Sequence, residues 1–123
     1  MRYENFSRRL RLCKHFRWLP GMLIIRNLPG APDHGQVIER ISDHYRGEKL
    51  VDDWSPDLSD PATIGCLYSL VREAWSEPEM HMTLGGAGWV WLSGESRVAT
   101  VILDIPAGKT EAEAITLALE AAP

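Results

Sequence analysis

Cationic side chains close to the start of the chain are the strongest chemical signal in this sequence of 123 residues. Arg8, Arg9, Arg11, Lys14 and Arg17 lie on one short segment. Arginine pairs well with phosphate and carboxylate groups, because its planar fork can donate two parallel hydrogen bonds. The segment therefore predicts contact with a nucleic acid, a nucleotide or an acidic protein surface. The alternative interpretation is a solvated helix face, and no helix-turn-helix, zinc-finger or aromatic RNA-binding motif accompanies the segment.

Tryptophan is the second signal, since five residues of this type are many for a chain of this length. Indole rings stack on nucleobases and are enriched at protein interfaces, although packing in the core is their commoner use. The sequence-based candidates for ligand or partner binding are Arg8, Arg9, Arg11, Lys14, Arg17, Trp18, Trp89 and Trp91.

Motifs that would indicate an enzyme are incomplete. The segment 108–110 (GKT) has the end of a phosphate-binding loop, but Leu103 stands where the first glycine is required. Glu77, Glu79 and His81 lack the second histidine that would complete a metal site. No serine or cysteine has an identifiable base. We therefore expect no catalytic residue, no metal and no cofactor. A small hydrolase whose site forms only on folding is the alternative.

Charge is distributed unevenly along the chain. Residues 1–30 hold seven basic residues and one acidic residue, whereas the remainder holds six basic and sixteen acidic residues. The net charges of these two parts are +6 and −10, which predicts a polar molecule with one cationic end.

Length and composition indicate one domain, residues 1–123, with a core of its own. The chain has no run of eighteen apolar residues and no secretory leader, so we expect a cytoplasmic protein without a membrane partner. Cys13 and Cys66 lack a metal-binding spacing, which predicts two buried, reduced thiols.

Three helices are predicted, at 5–16, 61–76 and 110–122. Asn5 would cap the first, and Thr110 with Glu113 forms a capping box that opens the third. In the second, Asp60 can accept a hydrogen bond from Thr63 N–H, and proline suits the first helical position. This second helix carries few charged residues, which predicts that it is covered on more than one side. Its apolar face is formed by Ile64, Leu67, Tyr68, Val71 and Trp75.

Strands are predicted at Met22–Ile25 and in a hairpin at 89–104. In the hairpin, the turn at Gly94-Glu95 places Trp91 opposite Val98 and Trp89 opposite Thr100, with apolar residues on both faces. Residues 27–35 are predicted as a loop and 84–88 as a glycine turn. The fold class is therefore α+β, a small, mostly antiparallel sheet packed with about three helices.

Residues 36–54 fit two structures. A helix closed by Gly47 is one, and a hairpin with strands at 37–42 and 49–54 is the other. The hairpin is favoured, because it would extend the sheet begun at Met22.

Three segments carry a resemblance to a known family. They are YENFSRRLRLC…WLPGM at the start, PDLSDPATIGCLYSLVREAW at 56–75, and GKTEAEAITLALEAA at the end. The chain resembles a family of small phage and prophage proteins that have no assigned activity or catalytic motif. The resemblance implies a bacterial host cytoplasm and an accessory protein that acts by binding.

Two functions from different classes follow from these expectations. The first is non-enzymatic binding of an anionic partner in counter-defence, by sequestering a nucleotide signal or blocking an acidic or nucleic-acid-bearing host complex. The second is a structural or DNA-transaction role in which the basic helix lies along phosphates. The second apolar face of the hairpin also predicts a homodimer.

Overall fold

The computed structural model describes residues 6–28, 31–48, 50, 54–94 and 100–123. Within these ranges the chain forms helices α1 (Phe6–Leu12), α2 (Pro61–Ala74) and α3 (Glu111–Ala121). The strands are β1 (Leu23–Leu28), β2 (Ala31–Arg40), β3 (Trp54–Pro56), β4 (His81–Gly85), β5 (Gly88–Ser93) and β6 (Thr100–Val101). The predicted α+β class with antiparallel strands and about three helices is confirmed, although the strands form two sheets.

The first sheet has the order β2-β1-β3, with β1 pairing antiparallel to both neighbours. The predicted strand at Met22–Ile25 is thereby confirmed and extends to Leu28, and the predicted loop at 27–35 is wrong because β2 already begins at Ala31. For residues 36–54, the prediction of extended structure is confirmed at 36–40, but the predicted hairpin is wrong. Both β2 and β3 pair with β1 instead of with each other. Residues 49 and 51–53 of the second predicted strand lie outside the described residues.

The second sheet has the order β4-β5-β6. Strand β4 is absent from the sequence-based prediction, although the glycine turn is confirmed between Gly85 and Gly88, which face each other across it. Strand β6 pairs Thr100 with Ser93, so the predicted pairing of Thr100 with Trp89 is wrong. Residues 95–99, including the predicted partner Val98, lie outside the described residues.

The register of the second sheet follows from how the chain leaves β6. Ile102 N–H donates to Trp91 O at 2.9 Å, and the chain then turns, with Ile105 N–H donating to Ile102 O. It returns so that Gly108 and Trp89 exchange both backbone hydrogen bonds, at 2.7 and 2.9 Å. The backbone of Trp89 is therefore occupied by Gly108, and the predicted strand up to Asp104 cannot form.

Helix α1 is shorter than predicted. It ends at Leu12, where Cys13 N–H donates to Leu10 O in a tighter turn, and a second such turn joins Phe16 to Cys13. Trp18 is buried, and its ring meets Phe16 edge-on at 5.2 Å between centroids. The chain leaves the helix axis early because this aromatic pair must turn into the core. The predicted cap Asn5 lies outside the described residues.

Helix α2 begins and ends with well-defined caps. The predicted N-cap is confirmed, since Asp60 Oδ2 accepts from Thr63 N–H at 3.0 Å. At the other end Ser76 takes the left-handed conformation (φ 54°) that glycine usually supplies, and Glu77 N–H closes on Arg72 O at 2.9 Å. These bonds stop the helix at Ala74, two residues before its predicted end.

The buried face of α2 is rotated from the predicted one. Ile64, Tyr68 and Trp75 are only half-buried, and the fully covered residues are Thr63, Leu67, Leu70 and Val71. One side of the helix remains open, because Ala62, Gly65, Ser69 and Glu73 form an exposed stripe, whereas most other residues are buried or half-buried. The small residues of this stripe face solvent, although charged residues are more usual at such positions.

Helix α3 packs against α1, α2 and β5 at the centre of the core. Thr110 Oγ1 accepts from Glu113 N–H, as the predicted capping box requires, and Glu113 reaches back to Lys109 N–H at 2.6 Å. Trp91 Nε1–H donates to Ala114 O and Trp75 Nε1–H donates to Ala118 O, at 3.0 and 2.8 Å. Two indoles thus attach this helix to β5 and to the end of α2.

Gly108 permits the close approach of α3 to the second sheet. A Cβ at this position would lie 2.5 Å from the backbone nitrogen of Ala114, well inside any real contact. Gly88 has φ +117°, and a Cβ there would lie 2.5 Å from Gly108 O. Both glycines are therefore required by packing.

We expect Gly108→Ala to lower the free energy of unfolding by on the order of 1–3 kcal/mol, because backbone must move to admit the methyl group. Gly65→Ala is the matched control, since its Cβ would meet nothing within 4 Å on the exposed side of α2. It should raise stability by up to about 1 kcal/mol through helix propensity. Urea unfolding measures both. Equal stability of Gly108→Ala and wild type would contradict the packing described.

Asp60 supports a second prediction, on acid stability. Arg40 donates two hydrogen bonds to this carboxylate, and together with Thr63 it holds the pKa of Asp60 well below its usual range. The stabilisation from a lowered folded-state pKa is fully present above the unfolded value of about 3.9 and is lost as the pH falls. We expect the stability difference between wild type and Asp60→Asn to shrink on acidification.

Asp60→Ala separates the cap from the ion pair. Asparagine can still cap α2, whereas alanine cannot, so Asp60→Ala should be less stable than Asp60→Asn by about 1 kcal/mol at neutral pH. Thermal unfolding between pH 3 and pH 7 provides the comparison. A pH-independent difference between wild type and Asp60→Asn would exclude a contribution from the ionised carboxylate.

Candidate functional site

Arg9 and Arg17 of the basic segment are held in ion pairs with later parts of the chain. Arg9 donates from Nε and Nη2 to the Glu120 carboxylate on α3, at 3.1 and 2.6 Å. Arg17 donates from Nη1 and Nη2 to the two Glu73 oxygens on α2, at 2.6 and 2.7 Å. This pairing raises the pKa of Arg17 and lowers that of Glu73. Part of the predicted cationic end is therefore neutralised by acids from the rest of the chain.

The remaining cations of the segment differ in exposure. Arg8 and Lys14 are exposed, on α1 and just after it. Arg11 is half-buried, and its guanidinium carbon lies 5.7 Å from the centre of the Trp18 ring. The segment therefore presents Arg8, Lys14 and the exposed part of Arg17 to solvent, whereas Arg11 is drawn towards the core.

A cleft opens between the end of this segment and α2, with a volume of about 320 Å³. We call it the cationic cleft, and it is lined by Lys14, His15, Phe16, Arg17, Leu70, Glu73 and Ala74. The lining combines apolar side chains from both elements with two cations and one carboxylate. Such a concave site with a few charged groups is the usual form of a small-ligand pocket.

The structure brings together only part of the predicted binding set. Lys14 and Arg17 meet at the cationic cleft, whereas Arg8, Arg9 and Arg11 lie outside its lining. Trp18 and Trp91 are core residues, with exposures of 7% and 0%, so in this conformation neither can stack on a ligand. Trp89 is half-buried and pairs through its backbone with Leu84 and Gly108.

Glu73, His15, Phe16 and Leu70 line the cleft and were missed by the sequence-based reasoning. No local pattern marks them, because Glu73 and Leu70 are separated from the basic segment by the whole of the first sheet. The one available signal was charge, since Glu73 is an acid on the otherwise sparsely charged central helix. Arg17 pairs with this carboxylate.

Three buried nitrogens of the basic segment have no hydrogen-bond partner within the described part of the chain. They are Arg11 Nε, His15 Nε2 and Trp18 Nε1. An unsatisfied buried donor costs about 1–3 kcal/mol, so this segment is held less favourably than the rest of the core.

Two backbone N–H groups of the GKT segment are used within the protein. Gly108 N–H donates to Trp89 O, and Lys109 N–H donates to the Glu113 side chain. A phosphate loop needs such backbone N–H groups to be directed at the ligand. Here the sheet and the helix cap use them.

The two thiols are free and half-buried, so the prediction of full burial is wrong. Cys13 Sγ–H donates to Leu119 O at 3.2 Å, and burial raises the pKa of the Cys66 thiol. Among the described residues, no group of three His, Cys, Asp or Glu side chains is placed to hold a metal ion. Nor does any described helix combine the length and apolar character that crossing a bilayer requires.

Comparisons with protein-family models, with curated proteins and with solved structures find no match.

The core role of Trp91 can be tested against a binding role. We expect Trp91→Phe to lower the free energy of unfolding by about 2 kcal/mol or more, because the bond to Ala114 O and part of the buried volume are lost. Lys14→Gln, at an exposed position, should stay within about 0.5 kcal/mol of wild type. Chemical unfolding gives both values. A fully stable Trp91→Phe variant would argue against the core role of this indole.

Proposed function

We propose that the protein is a non-enzymatic binding protein that engages an anionic partner through the cationic cleft and the cations beside it. The observation that carries this proposal is the convergence of Lys14 and Arg17 on one concave site with an apolar floor. Anions are attracted to such a site. Arg8 lies at the surface of α1, on the same segment.

The resemblance to small phage proteins suggests the biological setting of this binding. In that setting the protein is a phage accessory protein in the cytoplasm of its bacterial host, acting in counter-defence. Sequestration of a large nucleotide signal receives less support than the blocking of an acidic protein surface. The cleft holds Phe16 but no tryptophan, and its volume of about 320 Å³ is small for a dinucleotide.

Binding to three labelled probes tests the proposal: an acidic peptide, a mononucleotide and a DNA duplex. We expect the acidic peptide to bind best and Lys14→Gln to weaken its binding several-fold, because one charge of the cleft is removed. Lys109→Gln is the matched control, since this exposed lysine lies outside the cleft and should leave affinity unchanged. Fluorescence anisotropy at two salt concentrations provides the measurement.

Each result distinguishes between functions. Preferred binding of the duplex with a steep salt dependence would support the alternative role in DNA transactions. Equal loss of affinity in Lys14→Gln and Lys109→Gln would show that only overall charge matters and would remove the cleft from the proposal. If mass spectrometry detects chemical conversion of the mononucleotide, the protein is an enzyme instead.

A further inference from the structure

Arg17 already binds one carboxylate within the protein, that of Glu73. Both terminal nitrogens of Arg17 donate, one to each Glu73 oxygen, at 2.6 and 2.7 Å. This two-pronged geometry is the favoured way for arginine to hold a carboxylate. The side chains are 54% and 59% exposed, and ion pairs so open to water are weak. A second carboxylate can therefore compete for the same fork.

The charges around the cationic cleft favour a ligand with one negative charge. Lys14 and Arg17 contribute two positive charges and Glu73 one negative charge, so the rim carries one net positive charge. A single carboxylate balances that charge. A phosphate dianion would exceed it and would also be repelled by Glu73.

The floor of the cleft favours an apolar body on that carboxylate. Phe16, Leu70 and Ala74 line it, contributed by the basic segment and by α2. The volume of about 320 Å³ lies at the lower end of the range for ligand pockets. It suits one aromatic or branched aliphatic group.

From these observations we infer that the cationic cleft binds a carboxylate carried on an apolar body, and that this carboxylate displaces Glu73 from Arg17. Lys14 supplies the second positive charge, while the half-buried Phe16 and Ala74 contact the apolar body. The ligand is either a free small carboxylate or the C-terminal residue of a peptide, which share this chemistry. Glu73 acts as an internal competitor. This inference rests on the proposed function and names its ligand class.

The probe that tests the inference is N-acetylphenylalanine, titrated while the backbone amide shifts of residues 14–17 and 70–74 are followed by NMR. N-acetylphenylalanine amide has the same apolar body without the charge, and we expect it to bind at least about tenfold more weakly. A peptide ending in phenylalanine distinguishes the two sources. Tighter binding than the small probe indicates a peptide terminus, and equal binding indicates a free carboxylate.

Substitution of Glu73 gives the sharpest result. We expect Glu73→Gln to tighten binding of N-acetylphenylalanine about two- to fivefold, because the competing carboxylate is removed. Glu120→Gln is the matched control, since it breaks the similar pair with Arg9, which lies outside the cleft, and should change nothing. Lys14→Gln should weaken binding. An unchanged or weakened affinity in Glu73→Gln would overturn displacement.

Failure of this inference can be told from failure of the proposed function. If AMP or inorganic phosphate binds at the cleft more tightly than N-acetylphenylalanine, the carboxylate class is wrong while anion binding stands. If neither these probes nor the acidic peptide shifts residues 14–17, both are overturned.

Discussion

The carboxylate of Asp60 joins the second helix to the first sheet, and the arrangement of the rest depends on this junction. It accepts from Thr63 N–H and Oγ1–H at the start of α2, and from both terminal nitrogens of Arg40 at the end of β2. Thr63 in turn accepts from Leu23 N–H in β1, and Arg40 also donates to Gly21 O. Because a helix is rigid, fixing its first turn also places Leu70 and Glu73, about 15 Å further along, against the basic segment. Contacts at the start of α2 therefore determine the position of the cleft, which lies near the other end of this helix.

The third helix shows how the core holds an element without the usual glycine at its end. Its last turn leaves carbonyl groups without helical partners, and side chains from other elements supply the donors. Trp75 donates to Ala118 O and Cys13 donates to Leu119 O. The indole of Trp75 thus combines a large apolar surface with one hydrogen bond, which is why tryptophan suits these positions. Trp91, which the sequence alone also allowed as a binding residue, donates in the same way to Ala114 O.

Local chemistry made the helices predictable, whereas long-range pairing made the sheets unpredictable. Asp60 and Thr110 cap their own helices, and such contacts within three residues can be inferred from sequence. The register of β5 depends on Gly108, which returns from beyond β6 to pair with Trp89, and no turn signal in the sequence encodes that return. In the same way β3 pairs with β1 instead of with its nearer neighbour β2. The cationic half of the site could be predicted from its charges, but Leu70 and Glu73 join it only because α2 folds against it.

Ion pairs within the protein partly neutralise the uneven charge of the chain. Arg9 pairs with Glu120 and Arg17 with Glu73, and both pairs join the basic residues 1–30 to a later helix. The pair between Arg40 and Asp60 lies within the acidic part. The basic and acidic parts therefore hold each other, and the cationic end is smaller than the net charges suggest. Among these pairs, Asp60 is largely buried, with its side chain 13% exposed, whereas Arg17 and Glu73 are both more than half exposed at the edge of a cleft. A pair whose carboxylate is shielded and held by further hydrogen bonds stabilises the fold, but a pair whose two side chains are both open to water is readily exchanged. Arg17 and Glu73 are therefore the point at which pairing within the chain can give way to binding of another molecule.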